Sequence, residues 1–97
     1  MINNRQKAQL KGLASTLTIK YQVGKNEITD SLIDMLNNAL IAHELIKIDV
    51  MKGYTSSINE LAIELSVRLS AEIVQVVGRV IILYRKNKEN PKIKLVK

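Results

Sequence analysis

Two alternating apolar stretches, separated by one helical stretch, constrain the fold of this 97-residue chain more than any other feature. Residues 18–23 (TIKYQV) and 44–51 (ELIKIDVM) place apolar side chains at every second position, which predicts half-buried strands. Between them, residues 30–43 repeat apolar residues at helical spacing, after Thr29 or Asp30, either of which can cap a helix. A strand, a helix of about four turns and a second strand predict a right-handed βαβ crossover.

Three further stretches complete the predicted order of elements. Residues 4–17, and a segment that begins at Ile58 after the capping-box sequence SINE, have the apolar spacing of helices. The stretch EIVQVVGRVIILYR (72–85) holds two β-branched runs around Gly78-Arg79, which predicts a hairpin with a type II′ turn. Both runs are apolar on both faces, so we expect both strands to be central or covered on both sides. The sequence therefore predicts an α/β (α+β) fold of order α-β-α-β-α-β-β, a four-stranded mixed sheet with packed helices.

Length and composition indicate one domain, residues 1–97, that ends in a basic tail over residues 85–97. A hydrophobic content of 46% is sufficient for a packed core. The lack of cysteine excludes a disulfide scaffold, a thiolate zinc site and a cysteine nucleophile. The opening MINNRQKAQLKG has no apolar signal region, and no apolar run approaches the length of a membrane span. We therefore expect a cytoplasmic protein without a membrane partner.

The net charge of +6 is distributed unevenly along the chain. Residues 1–25 carry five basic residues and no acidic one, and residues 85–97 carry six basic residues and one acidic one. Residues 26–84 carry four bases and eight acids. If the two basic ends meet in space they form one positive face, whose natural partner is a polyanion. Charged ends that only improve solubility would have the same composition, so charge alone leaves both interpretations open.

No group of residues in the sequence indicates catalysis. His43, the only histidine, lies at the end of a predicted helix, where it suits the helix C-terminus better than a substrate. No serine has a G-x-S-x-G context, and the glycines form neither a P-loop nor a G-x-G-x-x-G motif. Asp30 with Asp34, and Glu60 with Glu64, are ordinary i,i+4 helix pairs without a partner set for metal or acid–base chemistry. We therefore expect no enzymatic activity, no cofactor, no metal site and no small-molecule substrate.

The few aromatic residues indicate how a nucleic acid would be recognised. The chain has no tryptophan or phenylalanine, so only Tyr21, Tyr54 and Tyr84 could stack on bases. Tyr21 and Tyr84 occupy strand positions with apolar neighbours, where packing in the core is favoured. Recognition of the sugar-phosphate backbone by basic side chains and main-chain amides is the mode that the composition favours.

The turn QVGKNEITDSL (22–32) is the stretch that can supply such amides. Gly24 allows a ligand to approach the backbone closely, and the free N–H groups of the following helix favour an anion. Lys25 adds a positive charge. One glycine before a helix also fits a plain structural turn, so the turn alone does not decide between the two.

Four stretches taken together resemble the CRM domain, the chloroplast RNA splicing and ribosome maturation family, and especially its small stand-alone bacterial members of the YhbY type. They are RQKAQLKGLA, QVGKNEITDSL, HELIKI and VQVVGRVIILYR, which cover nearly the whole chain in the expected order. The resemblance implies the same α-β-α-β-α-β-β fold. It also implies RNA as the partner, as large-subunit ribosomal RNA or a pre-ribosomal particle, and a role in ribosome assembly.

The resemblance further assigns candidate RNA-binding positions. The family's G-x-x-G loop falls on residues 24–27, and the first helix with nearby basic side chains carries the rest of the RNA surface. Arg79 and Arg85, which flank the last strand, are also candidate RNA-binding residues. The implied RNA-binding residues are Gly24, Lys25, Asn26, Arg5, Lys7, Lys11, Lys20, Arg79 and Arg85.

This chain departs from the family pattern at two positions. Ser15 stands where the first helix often has histidine, and Glu27 replaces the last glycine of the loop. A glutamate costs on the order of 1 kcal/mol if the loop needs a positive φ there, and an exposed carboxylate repels a phosphate by about 1 kcal/mol. Either Glu27 interacts with the helix dipole and the loop is little used, or Glu27 turns outward and the loop binds phosphate more weakly. The presence of Lys25 favours the second interpretation.

A second class of function stays open at this point. A non-catalytic protein-interaction module fits the same sequence, if it docks on the ribosome through an apolar sheet face while its basic ends only tether it. Binding to naked ribosomal RNA distinguishes the two, because only the RNA-binding interpretation requires it. Double-stranded DNA is a less favoured partner, because no helix-turn-helix spacing is evident.

Overall fold

The computed structural model describes residues 2–17, 20–24, 28–52, 54 and 57–97, with Lys20 described by its backbone alone. Three helices and four strands follow the predicted order. They are α1 (Asn4–Ser15), β1 (Lys20–Val23), α2 (Asp30–His43), β2 (Leu45–Val50), α3 (Ile58–Leu69), β3 (Glu72–Val77) and β4 (Val80–Tyr84).

The four strands form one mixed sheet in the order β1-β2-β4-β3. β1 and β2 are parallel neighbours joined through α2, which is the predicted β-α-β unit. β4 pairs antiparallel with both β2 and β3. The helices α2 and α3 cover one face of this sheet and α1 lies on the other. The predicted fold class is therefore confirmed.

The larger core lies between the sheet and the pair α2 and α3. Alternation along β2 directs Ile46, Ile48 and Val50 to this face, where the apolar stripes of both helices meet them. The largest fully buried helix residues of this core are Leu36, Leu40, Leu61 and Leu65. Because burying one such side chain contributes about 1.5–3 kcal/mol, this core supplies most of the stabilisation that holds the sheet.

A smaller core lies under α1 on the opposite face of the sheet. Leu10 and Ala14 of α1 are completely buried there. The cluster also contains Leu45, Val74, Ile82 and Tyr84, with Ile93 and Leu95 packed at its margin. Strand β4 is consequently covered on both faces, as its apolar sequence predicted.

Side-chain caps set the starts of the two helices on the larger core. Of the two candidates before α2, Thr29 is the cap, because its hydroxyl accepts the N–H of Leu32 at 3.1 Å. The hydroxyl of Ser57 accepts the N–H of Glu60 at 3.3 Å and caps α3 as predicted. Helix α1 ends at Ser15, short of the predicted end at residue 17.

The hairpin between β3 and β4 has the predicted two-residue turn. Gly78 has a φ of +57°, which the first central position of a type II′ turn requires. Strand β3 lies at the edge of the sheet, where only Val74 is buried and Val77 is exposed, so the expectation of a central or fully covered strand is wrong for β3. An irregularity in its pairing between Ile73 and Gln75 turns the strand, so that Ile73 and Val76 pack towards α3 while Val74 faces α1.

Candidate nucleic-acid interface

The C-terminal segment, residues 85–97 and called the tail below, lies along α1 and brings the two basic ends of the chain together. The side-chain amide of Gln9 donates to the carbonyl of Lys94 at 2.9 Å and accepts the N–H of Val96 at 2.8 Å. Gln6 donates to the carbonyl of Val96 at 2.8 Å. The two basic ends of the chain are therefore neighbours in the fold, which a shared positive surface requires.

A buried glutamate fastens the start of the tail to the fold. Glu44 is 0% exposed, between α2 and β2. Its carboxylate accepts the main-chain N–H of Asn87 at 2.7 Å and those of Lys92 and Ile93 at 2.6 Å each. The main-chain carbonyl of Glu44 accepts the N–H of Arg85 at 2.9 Å. Residues 85–93 of the tail are therefore held around the side chain of Glu44, which was not among the predicted site residues.

The backbone of Glu44 is itself unusual. Its φ of +63° ends α2, and a non-glycine residue at such a φ costs on the order of 1–2 kcal/mol. Three hydrogen bonds to one carboxylate offset this cost, because each buried N–H left without a partner costs about 1–3 kcal/mol. The sequence did contain a signal, namely an acidic residue directly before a fully apolar strand start.

Two lysines of α1 share one flank of the helix, called the α1 flank below. Lys7 and Lys11 are one turn apart, whereas Arg5 is two positions from Lys7 and lies on roughly the opposite side of the helix. Lys11 and Ser15 line a shallow hollow together with Lys47 of β2. The structure thus groups two of the three predicted α1 residues with a lysine that was not predicted.

Lys47 extends the α1 flank across the sheet. Its Cα pairs with that of Lys20 in the parallel register of β1 and β2, so the two lysines occupy neighbouring positions. Lys47 is half-buried, and Asp49, also half-buried, follows two residues later in the same strand. The alternation of β2 had already separated Lys47 from the apolar face, so the signal for this residue was present in the sequence.

The ends of β1 and β2 meet the β3–β4 turn at one edge of the sheet, called the turn edge below. The N–H of Met51 donates to the carbonyl of Val23 at 2.9 Å, and the guanidinium of Arg79 donates to the carbonyl of Met51 at 3.3 Å. Gly24 follows Val23 directly. The predicted residues Gly24 and Arg79 therefore lie at the same edge of the sheet, on either side of Met51.

The remaining loop predictions fall on Lys25 and Asn26, with Glu27 as the departure from the family pattern. All three lie outside the described residues. The phosphate-binding role of this loop therefore stays a prediction from sequence.

Arg85 occupies a different part of the molecule from the other predicted residues. Its guanidinium donates to the carbonyl of Leu69 at 2.7 Å and to that of Asn37 at 3.2 Å. Leu69 is the last residue of α3, where a positive charge also interacts favourably with the helix dipole. These contacts join the end of β4 to α2 and α3, so the structure does not bring Arg85 together with the α1 flank.

The two helical layers differ in charge. Helix α1 and residues 91–97, together called the basic layer, each carry three basic residues and no acidic one. Helices α2 and α3, called the acidic layer, carry four acids and one base, which are Asp30, Asp34, Glu60, Glu64 and Arg68. Arg68 and Asp30 form the one salt bridge among the described residues, at 3.4 Å. No described ion pair therefore neutralises the basic layer.

The match of residues 2–85 to the family model described as CRS1 / YhbY (CRM) domain decides the assignment. This chain belongs to the CRM domain family. It is 37% identical over 95 residues to "Probable RNA-binding protein YqeI" of Bacillus subtilis, covering 98% of this chain and 99% of that protein. It is 38% identical over 89 residues to "RNA-binding protein" of Haemophilus influenzae, covering 91% of this chain and 89% of that protein.

A solved structure agrees with the CRM fold described above. The solution structure of a Staphylococcus aureus protein aligns with a TM-score of 0.82 at 36% sequence identity. The alignment covers 99% of this chain and 100% of that one. The family model ends at residue 85, so the rest of the tail lies beyond the matched CRM domain.

Neither a membrane-spanning helix nor a cluster of metal ligands is found in the described part of this CRM domain. No described helix has the length and apolar character needed to span a membrane. Among the described residues, no three His, Cys, Asp or Glu side chains gather as metal ligands would. His43 lies in the last turn of α2, as predicted, at the rim of an apolar hollow with Leu13 and Leu17.

The described tyrosines pack against the cores. Tyr21 and Tyr54 are half-buried against the larger core, and Tyr84 is 2% exposed within the smaller one. The predicted packing of Tyr21 and Tyr84 is confirmed. The hydroxyl of Tyr84 is buried and has no hydrogen-bond partner among the described residues.

Tyr84 predicts a pH dependence of stability. Burial, and then the nearby charges of Glu44 and Glu72, raise the pKa of Tyr84 above its ordinary value of 10.0. As pH rises through about 10, tyrosine in the unfolded chain therefore loses its proton before Tyr84 in the folded protein does, and the free energy of unfolding falls. Tyr84→Phe should lack this component. Urea denaturation below and above this pH measures the fall in the free energy of unfolding for the wild-type protein and for Tyr84→Phe. Equal falls in both proteins would contradict the assignment of this pH dependence to Tyr84.

Proposed function

We propose that this CRM-domain protein binds RNA through contacts to the phosphate backbone and acts in assembly of the large ribosomal subunit. It does so in the cytoplasm as a binding protein, without catalysis. The observation that carries the RNA part is the separation of a basic layer from an acidic layer. The names of two relatives support RNA as the partner. The ribosomal part rests on the resemblance to the bacterial YhbY-type members.

The proposed surface runs from the α1 flank over Lys47 to the turn edge. Lys7, Lys11 and Lys47 make no described ion pair, so their charges are available to an anion. Lysine and arginine contacts to phosphates release condensed counterions and supply most of the sequence-independent affinity for nucleic acid. Asp49 lies within this surface and opposes binding locally, which favours contacts on the α1 side of the surface.

The turn edge is the second part of this surface. Arg79 is exposed and uses one nitrogen to bind the carbonyl of Met51, which leaves further donors for a phosphate. A Cβ added at Gly24 would lie 3.7 Å from the Met51 sulfur, an ordinary contact, and Gly24 has no positive φ. Neither packing nor backbone conformation requires glycine here. Our proposal explains the glycine at position 24 by the close approach of a ligand to the backbone.

The arrangement of the sheet gives the protein-interaction alternative less support than RNA binding. That alternative needed an open apolar face of the sheet, but α2 and α3 cover one face. On the other face α1 and the tail cover the smaller core, and the described part that stays open carries Lys47 and Asp49 beside the exposed Val77. We therefore retain RNA binding as the proposed function.

Naked RNA tests the proposal directly. The protein should bind a protein-free fragment of large-subunit ribosomal RNA, and log K should fall linearly with log salt, by about 0.7 for each contact to a single strand. A filter-binding titration at several salt concentrations measures both quantities. Association with ribosomal particles but not with naked RNA would favour the protein-interaction alternative instead.

A further inference from the structure

We propose that the hollow between α1 and the tail, called the tail hollow below, is a second binding site for RNA phosphate. The proposal rests on the RNA-binding function and extends the RNA surface beyond the matched domain of residues 2–85. Four lysines line the tail hollow, and they are Lys86, Lys92, Lys94 and Lys97.

The shape and charge of the tail hollow suit an anion. It has a volume of about 470 Å³, with Gln6 of α1 and Tyr84 of β4 contributing to its wall alongside the tail. No acidic residue lines it among the described residues. A concave surface lined by one sign of charge concentrates the electric field and raises the local concentration of ions of the opposite sign.

Lysines alternate with apolar residues along residues 92–95 of the tail. Ile93 and Leu95 are half-buried against the smaller core, whereas Lys92 and Lys94 between and beside them are exposed. A repeat of two residues is typical of an extended segment that packs one of its sides against the protein. An apolar side therefore anchors the segment while its lysines face outward.

Hydrogen bonds to the main chain add to this anchoring. Glu44 accepts the N–H of Lys92, and Gln9 donates to the carbonyl of Lys94, so neither lysine side chain is used to hold the tail. A segment that is ordered before binding loses less conformational entropy when a ligand binds. The main chain that carries Lys92 and Lys94 is thus ordered before RNA binds.

The tail also contains its own control residue. Lys88 is exposed and lines a different hollow, beside α2, together with Arg85 and Glu89. Lys88→Gln and Lys94→Gln remove the same charge from the same segment. A difference in RNA affinity between the two variants therefore reflects the location of Lys94 in the tail hollow, because both variants have the same net charge.

Fluorescence anisotropy with a labelled oligouridine tests the proposal. We expect Lys94→Gln to weaken binding several-fold and Lys88→Gln to weaken it less than about twofold. The pair Lys92→Gln/Lys94→Gln should reduce the slope of log K against log salt by about 1.4, since each lost contact contributes about 0.7. Equal effects of Lys88→Gln and Lys94→Gln would overturn the proposal.

Two comparisons keep this outcome separate from the proposed function. If wild-type protein does not bind the oligouridine, the proposed function fails and this site fails with it. If Lys7→Gln/Lys11→Gln loses affinity while Lys92→Gln/Lys94→Gln does not, only the tail hollow is overturned. Should Lys92→Gln/Lys94→Gln lower the melting temperature, Lys97→Gln carries the same test, with an expected reduction of the slope by about 0.7, because Lys97 lines the tail hollow and not the hollow beside α2.

Discussion

Replacing Glu44 with alanine is expected to lower the free energy of unfolding by about 3–5 kcal/mol. The substitution leaves the N–H groups of Asn87, Lys92 and Ile93 without their acceptor. These groups regain partners only if the tail detaches and water reaches them, which exposes the smaller core. Either outcome costs stability, and detachment also frees the tail lysines.

Urea denaturation followed by circular dichroism measures this loss, and limited proteolysis reports whether the tail has detached. Glu64→Ala is the matched control, because Glu64 is exposed on α3 and its removal should change stability by less than about 0.5 kcal/mol. The stability of Glu44→Gln should lie between those of Glu44→Ala and Glu64→Ala. The glutamine amide keeps one acceptor oxygen but places N–H donors against the N–H groups of the tail. A stability of Glu44→Ala equal to that of Glu64→Ala would show that the tail is not fastened by this carboxylate.

Charge reversal on the α1 flank is expected to have the largest effect on RNA binding. Lys7→Glu/Lys11→Glu should weaken binding by at least about tenfold, equivalent to 1.4 kcal/mol. Two attractive contacts become repulsive, and neither side chain belongs to a core. Because phosphates carry no sequence information, the loss should be the same for unrelated RNAs.

Arg68→Glu provides the control for net charge. Arg68 lies on the acidic layer, and its exposed ion pair with Asp30 contributes little to stability. Lys11→Glu and Arg68→Glu change the net charge equally, so a larger effect of Lys11→Glu locates binding on the α1 flank. A loss confined to one RNA sequence, or equal losses from both substitutions, would contradict the backbone-contact account.

The elements of the fold could be predicted because their signals are local. The limits of α2 at Asp30 and His43 follow from one cap and one apolar stripe, and the Gly78-Arg79 turn follows from two residues. The edge position of β3 could not be predicted, because strand order depends on pairing between distant segments. The apolar residues on both faces of β3 reflect the irregularity near Val74 and the two helical layers, not a central position.

The candidate site was predicted less completely than the fold, for the same physical reason. Glu44 binds main-chain groups more than 40 residues away, at separations of 43, 48 and 49 positions, and no local pattern encodes such contacts. Arg85 has a basic side chain that fits an RNA contact by composition, but its carbonyl partners on α2 and α3 emerge only in the folded chain. Lys47, in contrast, was visible in the alternation of β2 and was overlooked.

NMR mapping of the RNA-binding surface distinguishes binding at the basic layer from binding elsewhere on the protein. Amide chemical shifts would be followed while a short oligouridine is added to the protein at low salt. Our account predicts that the largest shifts occur in α1, at the turn edge around Gly24 and Arg79, and in residues 91–97, with small shifts in α2 and α3. Shifts concentrated on the acidic layer would contradict the account.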